Sequence, residues 1–266
     1  MPVIDHLFAN ARIRRLIWQL WYPYLTRRLR REDTLFLNYA YEENPPLNIP
    51  LGSSDESNRA CIQLYHQVAT QVPLAGKDIL EVSCGHGGGA SYLTRTLQPK
   101  SYTALDLNPD GIRFCQERHQ VAGLKFIQGD AEALPFESNT FDAVINVEAS
   151  HCYPHFPVFL AEVARVLRPG GHFLYTDFRF RERHTEWDQA LAAAPLKLQN
   201  QRVINDQVRR GMDRNTQRSE QLISRHLPKF LHNLGRDFAG TKGSRLYNAL
   251  ASGEVSYRTY CFTKPA

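Results

Sequence analysis

Residues 148 to 155 read EASHCYPH, and several side chains able to handle a proton or attack an electrophile fall within these eight positions. His151 titrates near neutral pH, so it can take the proton of a hydroxyl as that oxygen attacks an electrophile. A polar loop histidine is the plainer alternative. A base histidine works better when a carboxylate orients it. Asp177, at the end of HFLYTDF, is one candidate and can equally cap a loop. Glu148 is another, either as the orienting group or as a contact to a bound small molecule. Cys152 beside His151 raises the idea of a thiolate nucleophile. His155 follows Pro154 and is a second-choice base, at a position suited to starting the next helix.

A second group of residues reads as a nucleoside site. ILEVSCGHGGG, residues 79 to 89, places glycines directly after an apolar run. A phosphate-binding P-loop needs GxxxxGK[ST], and no Lys-Ser or Lys-Thr follows here. Gly85-His86-Gly87 keeps the GxG core of a dinucleotide fingerprint, a core that nicotinamide enzymes share with methyltransferases. Three features bear on the choice. Glu81 lies inside the preceding strand, where a carboxylate costs desolvation unless it is used. S-adenosylmethionine (SAM) enzymes use such an acid at the amino-acid end of the cofactor; a carboxylate satisfied by backbone N–H groups is the alternative. Asp106 can accept from both ribose hydroxyls in either class, or cap the turn LNPDG, which Asn108 or Asp110 can also do. GDAEALPF, residues 129 to 136, offers Asp130 to an adenine amino group and the Ala131 N–H to the ring. His86 is expected to pack over the cofactor. Cys84, His86, His151 and Cys152 have no metal-ligand spacing, so no metal is expected.

The elements that position these residues alternate. DILEVSC, SYTALDLN, LKFIQGD, TFDAVINVEA and HFLYTDF read as short buried strands. Helices fall at about Gly88 to Leu97, in PDGIRFCQERHQV and in VFLAEVARVLRPGG, the last with a proline and glycine stop. Strands alternating with helices imply a parallel sheet covered on both faces. A helix is expected through ACIQLYHQVATQV, capped by Ser57 or Asn58. A long polar, basic helical stretch is expected from about Thr185 to Leu234, then a last strand in EVSYRTYCFTK. Residues 1 to about 31 read as helical, with Ile13, Leu16, Ile17, Leu20 and Trp21 at helical spacing. That apolar stripe beside Arg27, Arg28, Arg30 and Arg31 suits either an anionic membrane surface or packing on its own domain.

Composition bounds the rest. The 266 residues fit one large domain or a domain with an elaborate lid, and 42% hydrophobic residues suffice for a sizeable core. The net charge of +5 is too small to indicate nucleic acid. Five widely spaced cysteines without a CxxC indicate reduced thiols in a cytoplasmic enzyme. No signal peptide and no membrane-spanning run are visible.

Taken together, Glu81, the GHG at 85 to 87, Asp106, GDAEALPF, FDAVINVEA and LRPGG resemble the class I SAM-dependent methyltransferases across about residues 75 to 178. A narrower resemblance covers nearly the whole chain. WYPYLTRRL, FLNYAYEENPP, NVEASHCYPHFPVFLAEVARVLRPGG, RHLPKFLHNLGRDF and SYRTYCFTK are similar to the mycobacterial phthiotriol/phenolphthiotriol dimycocerosate methyltransferases, which O-methylate a secondary hydroxyl of a long polyketide-derived lipid. Related enzymes act on fatty acids and lipopeptide hydroxyls. The resemblance implies a Rossmann-like α/β fold with a seven-stranded, mostly parallel sheet. It implies an N-terminal lid and substrate segment at 1–75, a SAM-binding core at 76–178, and a lid insertion with closing strands at 179–266. It implies SAM contacts at Glu81, Ser83, Gly85, Gly87, Asp106, Leu107, Asp130, Ala131, Asn146 and Glu148. Tyr24, Tyr39, Tyr41 and His155 are then expected at the acceptor, with Tyr22 and Phe36 as further aromatics of a lid. The activated donor makes a thiolate step at Cys152 unnecessary. The expected acceptor is a lipid or polyketide hydroxyl. A carboxyl or carbon acceptor, and a SAM- or lipid-binding protein without turnover, are the alternatives. No NPPY, DPPY or PC motif points to nucleic acid.

Overall fold

The computed structural model describes residues 34–266. Tyr22, Tyr24 and the whole first helix expected from the sequence lie outside the described residues.

Seven strands form one mixed sheet in the order β3-β2-β1-β4-β5-β7-β6. They are β1 (Asp78–Val82), β2 (Ser101–Asp106), β3 (Leu124–Gln128), β4 (Phe141–Val147), β5 (Leu167–Phe180), β6 (Lys197–Val203) and β7 (Val255–Thr263). The first five pair in parallel, and β7 is antiparallel to both β5 and β6. The strand order reverses between β1 and β4, and α/β sheets bind ligands outside the carboxyl ends of their strands at such a switch point.

Strand alternation divides the core into two layers. Ile79, Ile145 and Leu174 face helices α1 (Arg59–Ala69), α2 (Gly88–Leu97) and α3 (Pro109–Arg118), which contribute Ile62, Leu64, Tyr92 and Ile112. Leu80, Val144, Phe173 and Tyr175 face α4 (Phe156–Val166) and α5 (His184–Ala193), which contribute Phe159, Val163 and Trp187. Helices α6 (Asn205–His226), α7 (His232–Ala239) and α8 (Arg245–Ser252) follow β6. Val208 and Met212 of α6 and Leu246 and Leu250 of α8 join the first layer.

Two expectations need correction. The stretch from Thr185 to Leu234 is not one helix. Pro195 follows α5, and KLQNQRV forms the edge strand β6. This strand pairs only with β7 and is exposed along nearly its whole length. An edge strand with no buried face has no alternation to read, and charge on it blocks further pairing. At α1, Asn58 holds the capping position but its side chain makes no capping bond.

Candidate functional site

The carboxyl ends of β1, β2 and β4 open onto a cavity of about 370 Å³, within the range of small-molecule and cofactor sites. Its floor is the glycine turn. Ser83, Gly85 and Gly87 all have positive φ, at 64°, 57° and 75°, so the chain turns sharply from β1 into α2. Asp106, at the end of β2, holds this turn: one carboxylate oxygen accepts the Gly85 N–H at 2.8 Å and the other the Asn108 N–H at 2.9 Å. Asn108 itself caps α3 by accepting from the Asp110 N–H, which leaves Asp106 for the cavity.

Ser83, Gly85, Asp106, Leu107, Asp130 and Ala131 line the cavity, and so does Glu148. Three other residues expected at the cofactor do not. Gly87 packs away from it, and a Cβ there would stand 2.8 Å from the Phe126 ring. Its glycine is needed for the left-handed start of α2 and not for close approach of a ligand. Asn146 is fully buried and donates to the Val82 carbonyl and the Tyr153 hydroxyl. Tyr153 in turn bonds Ser83 and reaches the cavity wall, so Asn146 supports the wall from behind. Glu81 is 1% exposed. Its Oε2 accepts from the Tyr102 hydroxyl at 2.7 Å, and the Tyr65 hydroxyl also lies against the carboxylate. Burial, against the hydrogen bonds it receives, pushes its carboxyl up to about 7.

A strap formed by residues 34–39 crosses the glycine turn. The Leu35 carbonyl accepts the Gly88 N–H at 3.1 Å, and the Thr34 carbonyl lies 2.7 Å from His86 Nδ1. At its other end the Tyr39 N–H donates to Glu148 Oε2 at 2.8 Å. Leu35, Phe36 and Leu37 thereby become an apolar wall of the cavity. His86 therefore holds the strap as well as lining the pocket. The strap also decides what the pocket can hold. In a dinucleotide site the N–H groups opening this helix receive pyrophosphate, and here Leu35 takes the Gly88 N–H. Four carboxylates, Asp106, Asp130, Glu132 and Glu148, line the cavity, and no lysine or arginine does so among the described residues. With no cation to receive it a phosphate is opposed here, and the carboxylates that stay ionised suit a cationic nucleoside.

Beside this cavity lies a dyad. His151 sits in a single 3-10 turn, Ser150–Cys152, just past β4. Its Nδ1 is 2.9 Å from Asp177 Oδ1, and its backbone N–H donates to Asp177 Oδ2 at 2.9 Å. The ring lies 4.6 Å from that of Phe178. His151 is not itself a lining residue, but Glu148, Ala149 and Cys152 around it are. Burial would lower its pKa, yet the adjacent Cys152 sulfur and Asp177 carboxylate outweigh that and push it up to about 10. Asp177 is fully buried. Burial would raise its pKa, but Arg179, His151 and their hydrogen bonds hold it well below the usual carboxylate range.

Glu148 is not the group that orients His151. Its φ is +50°, a strained value for a non-glycine residue, and its carboxylate accepts from the Tyr257 hydroxyl of β7 and the Tyr39 N–H. Burial, against those bonds, pushes it up to about 8. Of the expected acceptor residues, Tyr39 packs its ring on Phe178. Tyr41 is fully buried, its hydroxyl bonded to Glu43, and belongs to the core. His155 holds the N-cap position of α4 without a side-chain capping bond, and its side chain is 65% exposed and bonded to Glu132, so the structure does not bring it to the dyad. Leu35, Leu37, Tyr65 and Tyr153 were missed. Leu35 and Leu37 flank the one aromatic of this stretch, Phe36, that does reach the cavity. Among the described residues no group of three or more His, Cys, Asp or Glu could hold a metal.

The fold, the switch-point cavity and its acidic lining define a class I SAM-dependent methyltransferase. A family model described as a methyltransferase domain matches residues 80–175. Over 248 residues the chain is 58% identical to the phthiotriol/phenolphthiotriol dimycocerosates methyltransferase of Mycobacterium tuberculosis (strain ATCC 25618 / H37Rv), covering 93% of this chain and 92% of that one. The chain belongs to this methyltransferase family. It is also 54% identical over 257 residues to a fatty-acid O-methyltransferase of Mycolicibacterium smegmatis, covering 97% and 93% of the two chains. The solved structure of a geranyl diphosphate methyltransferase in complex with SAM shares the fold, with a TM-score of 0.63 at 15% identity, covering 87% of this chain and 99% of that one.

Proposed function

We propose that this enzyme O-methylates a hydroxyl of a lipid or polyketide-type acceptor, with His151 as general base. The observation that carries the reading is the 2.9 Å His151–Asp177 contact at the carboxyl edge of the sheet, next to an acidic cavity with an apolar wall. When bound, SAM supplies a methyl group on a sulfonium. Asp106 would accept from its ribose and Asp130 from its adenine, and Glu81, although not itself a lining residue, would serve the amino-acid end. Ser83, Gly85, Leu107, Ala131 and Glu148 complete the contacts, with Asn146 and Gly87 behind them.

The chain's own work is proton handling and alignment. Nδ1–H of His151 donates to Asp177, so the neutral ring carries its lone pair on Nε2, the nitrogen that takes the hydroxyl proton. Fixed alignment of acceptor and donor can lower the barrier by about 7–11 kcal/mol. The strap and the Phe178 ring hold the acceptor side apolar and keep water away from it. Tyr39 anchors that strap and Leu35 to Leu37 would face the acceptor chain.

A second reading has its own observation. A ring whose pKa is about 10 is an imidazolium at neutral pH, and an imidazolium can hold a carboxylate that needs no base. Carboxyl methylation then replaces hydroxyl methylation at the same site. The pH dependence separates the two. With a hydroxyl acceptor the neutral ring is required, so kcat climbs as pH rises toward 10. With a carboxylate acceptor the charged ring is required, so activity falls as pH rises through 10. Mass spectrometry of lipid extracts incubated with methyl-labelled SAM gives the product class: ethers support the proposal, and methyl esters alone overturn it.

A further inference from the structure

The Asp177 carboxylate has more partners than an orienting group needs. Oδ1 accepts from His151 and from the Phe178 N–H at 2.8 Å. Oδ2 accepts from the Ser150 hydroxyl at 2.6 Å and the His151 N–H, and lies 3.2 Å from Arg179 Nη1. Arg179 is 4% exposed. Its Nη2 donates to Ser150 Oγ at 2.9 Å and its Nη1 to the Phe178 carbonyl at 2.7 Å. The guanidinium lies between the rings of Phe156 and Trp187, 5.3 and 5.0 Å from their centroids. A charge buried this deeply is costly unless it is paired, and removing one partner strands the other.

We infer that Arg179 is a positioning residue for methyl transfer: it neutralises Asp177 through Oδ2, the oxygen that the imidazole does not bond, so the carboxylate orients the imidazole without also claiming its proton. This rests on the reading of His151 as the base. Asp177 alone would bind an imidazolium far more tightly than a neutral ring. With Arg179 on its other oxygen the buried cluster stays neutral when the ring loses its proton, and the cost of that loss falls. Ser150 links the two charged groups, and the Tyr175 hydroxyl, bonded to both Ser150 and the Trp187 indole N–H, closes the network. The other ionisable groups facing the dyad are Cys152 on its own turn, Tyr153 just after it, Glu148 beyond β4, Tyr257 on β7 and Tyr39 on the strap. None of them bonds Asp177.

The test is an NMR titration of the 13C-labelled His151 imidazole in the whole enzyme, which needs no acceptor. In Arg179→Gln the neutral fraction at about pH 9.5 drops severalfold, a midpoint rise of about one pH unit, while Arg179→Lys titrates close to wild type. An unmoved titration in Arg179→Gln overturns the inference. Should that variant not fold, Asp177→Asn is compared with the double variant Asp177→Asn/Arg179→Met, which removes both buried charges. The titration moves up in the double variant, and identical curves overturn the inference. Turnover of a long-chain secondary alcohol then separates the two claims. If its pH limb moves with the titration, both stand; if the titration moves and the limb does not, Arg179 tunes the buried pair but has no role in methyl transfer, and His151 is not the base.

Discussion

The two halves of the site are built from different material. On the cofactor side, backbone does most of the holding: Asp106 grips the N–H groups of Gly85 and Asn108 across a turn of positive φ. On the side proposed for the acceptor, side chains do it. His151, Asp177, Arg179, Glu148 and Tyr257 come from the end of β4, from β5 and from β7, and each is fixed by another side chain. A backbone-built site depends on local conformation and tolerates change nearby. A side-chain network is only as good as its weakest partner, because each member left alone is a buried polar group without satisfaction.

The sharpest break of that contrast is His151→Ala. It lowers kcat about 10²–10⁴-fold, the usual worth of a general base, and calorimetry finds SAM affinity close to wild type. A normal kcat removes His151 from the chemistry. Asp106→Ala gives the mirror image. Losing hydrogen bonds to a charged acceptor weakens SAM binding by about 10–100-fold, and kcat at saturating SAM falls far less than in the histidine variant. Gly88→Ala tests the strap between the halves. Its Cβ would stand 2.5 Å from the Leu35 carbonyl oxygen, so thermal denaturation reports a loss of about 1–3 kcal/mol with weaker SAM binding; unchanged values mean the strap is not seated there.

A smaller effect is a pH signature in stability. His151 has a raised folded pKa, so its contribution is whole below its unfolded value near 6.5 and fades as pH rises toward about 10. Asp177 has a depressed one, so its contribution is whole above about 3.9 and is lost in acid. The stability gap between wild type and His151→Gln is therefore widest between about pH 4 and 6.5, and a gap that grows above that window contradicts the pair. The smallest effect is His155→Ala, an exposed side chain bonded only to Glu132, which changes stability by under about 0.5 kcal/mol and leaves turnover intact.

The same contrast governs what could be read in advance. Ser83, Gly85, Asp106 and Asp130 belong to turns whose residue types are dictated within a few positions, so their meeting at one cavity was legible. His151 and Asp177 were legible as types at strand ends. Arg179 was not, because nothing in FRF says that this arginine points inward to a carboxylate two residues before it. Among the aromatics of FLNYAYEE the sequence pattern could not choose, and the structure sends Phe36 to the cavity and Tyr41 to the core. Strand β6 escaped because an edge with both faces wet carries no hydrophobic period.

Strand β7 has a consequence for how the enzyme is made. It is the last strand of the sheet, yet it inserts between β5 and β6 and brings Tyr257 to Glu148. A chain leaving the ribosome thus has every residue of its nucleoside pocket long before it has the strand that completes its acceptor side. Until those final residues emerge, β5 offers a bare edge beside buried aromatic rings, and newly made enzyme is open to mispairing during that interval.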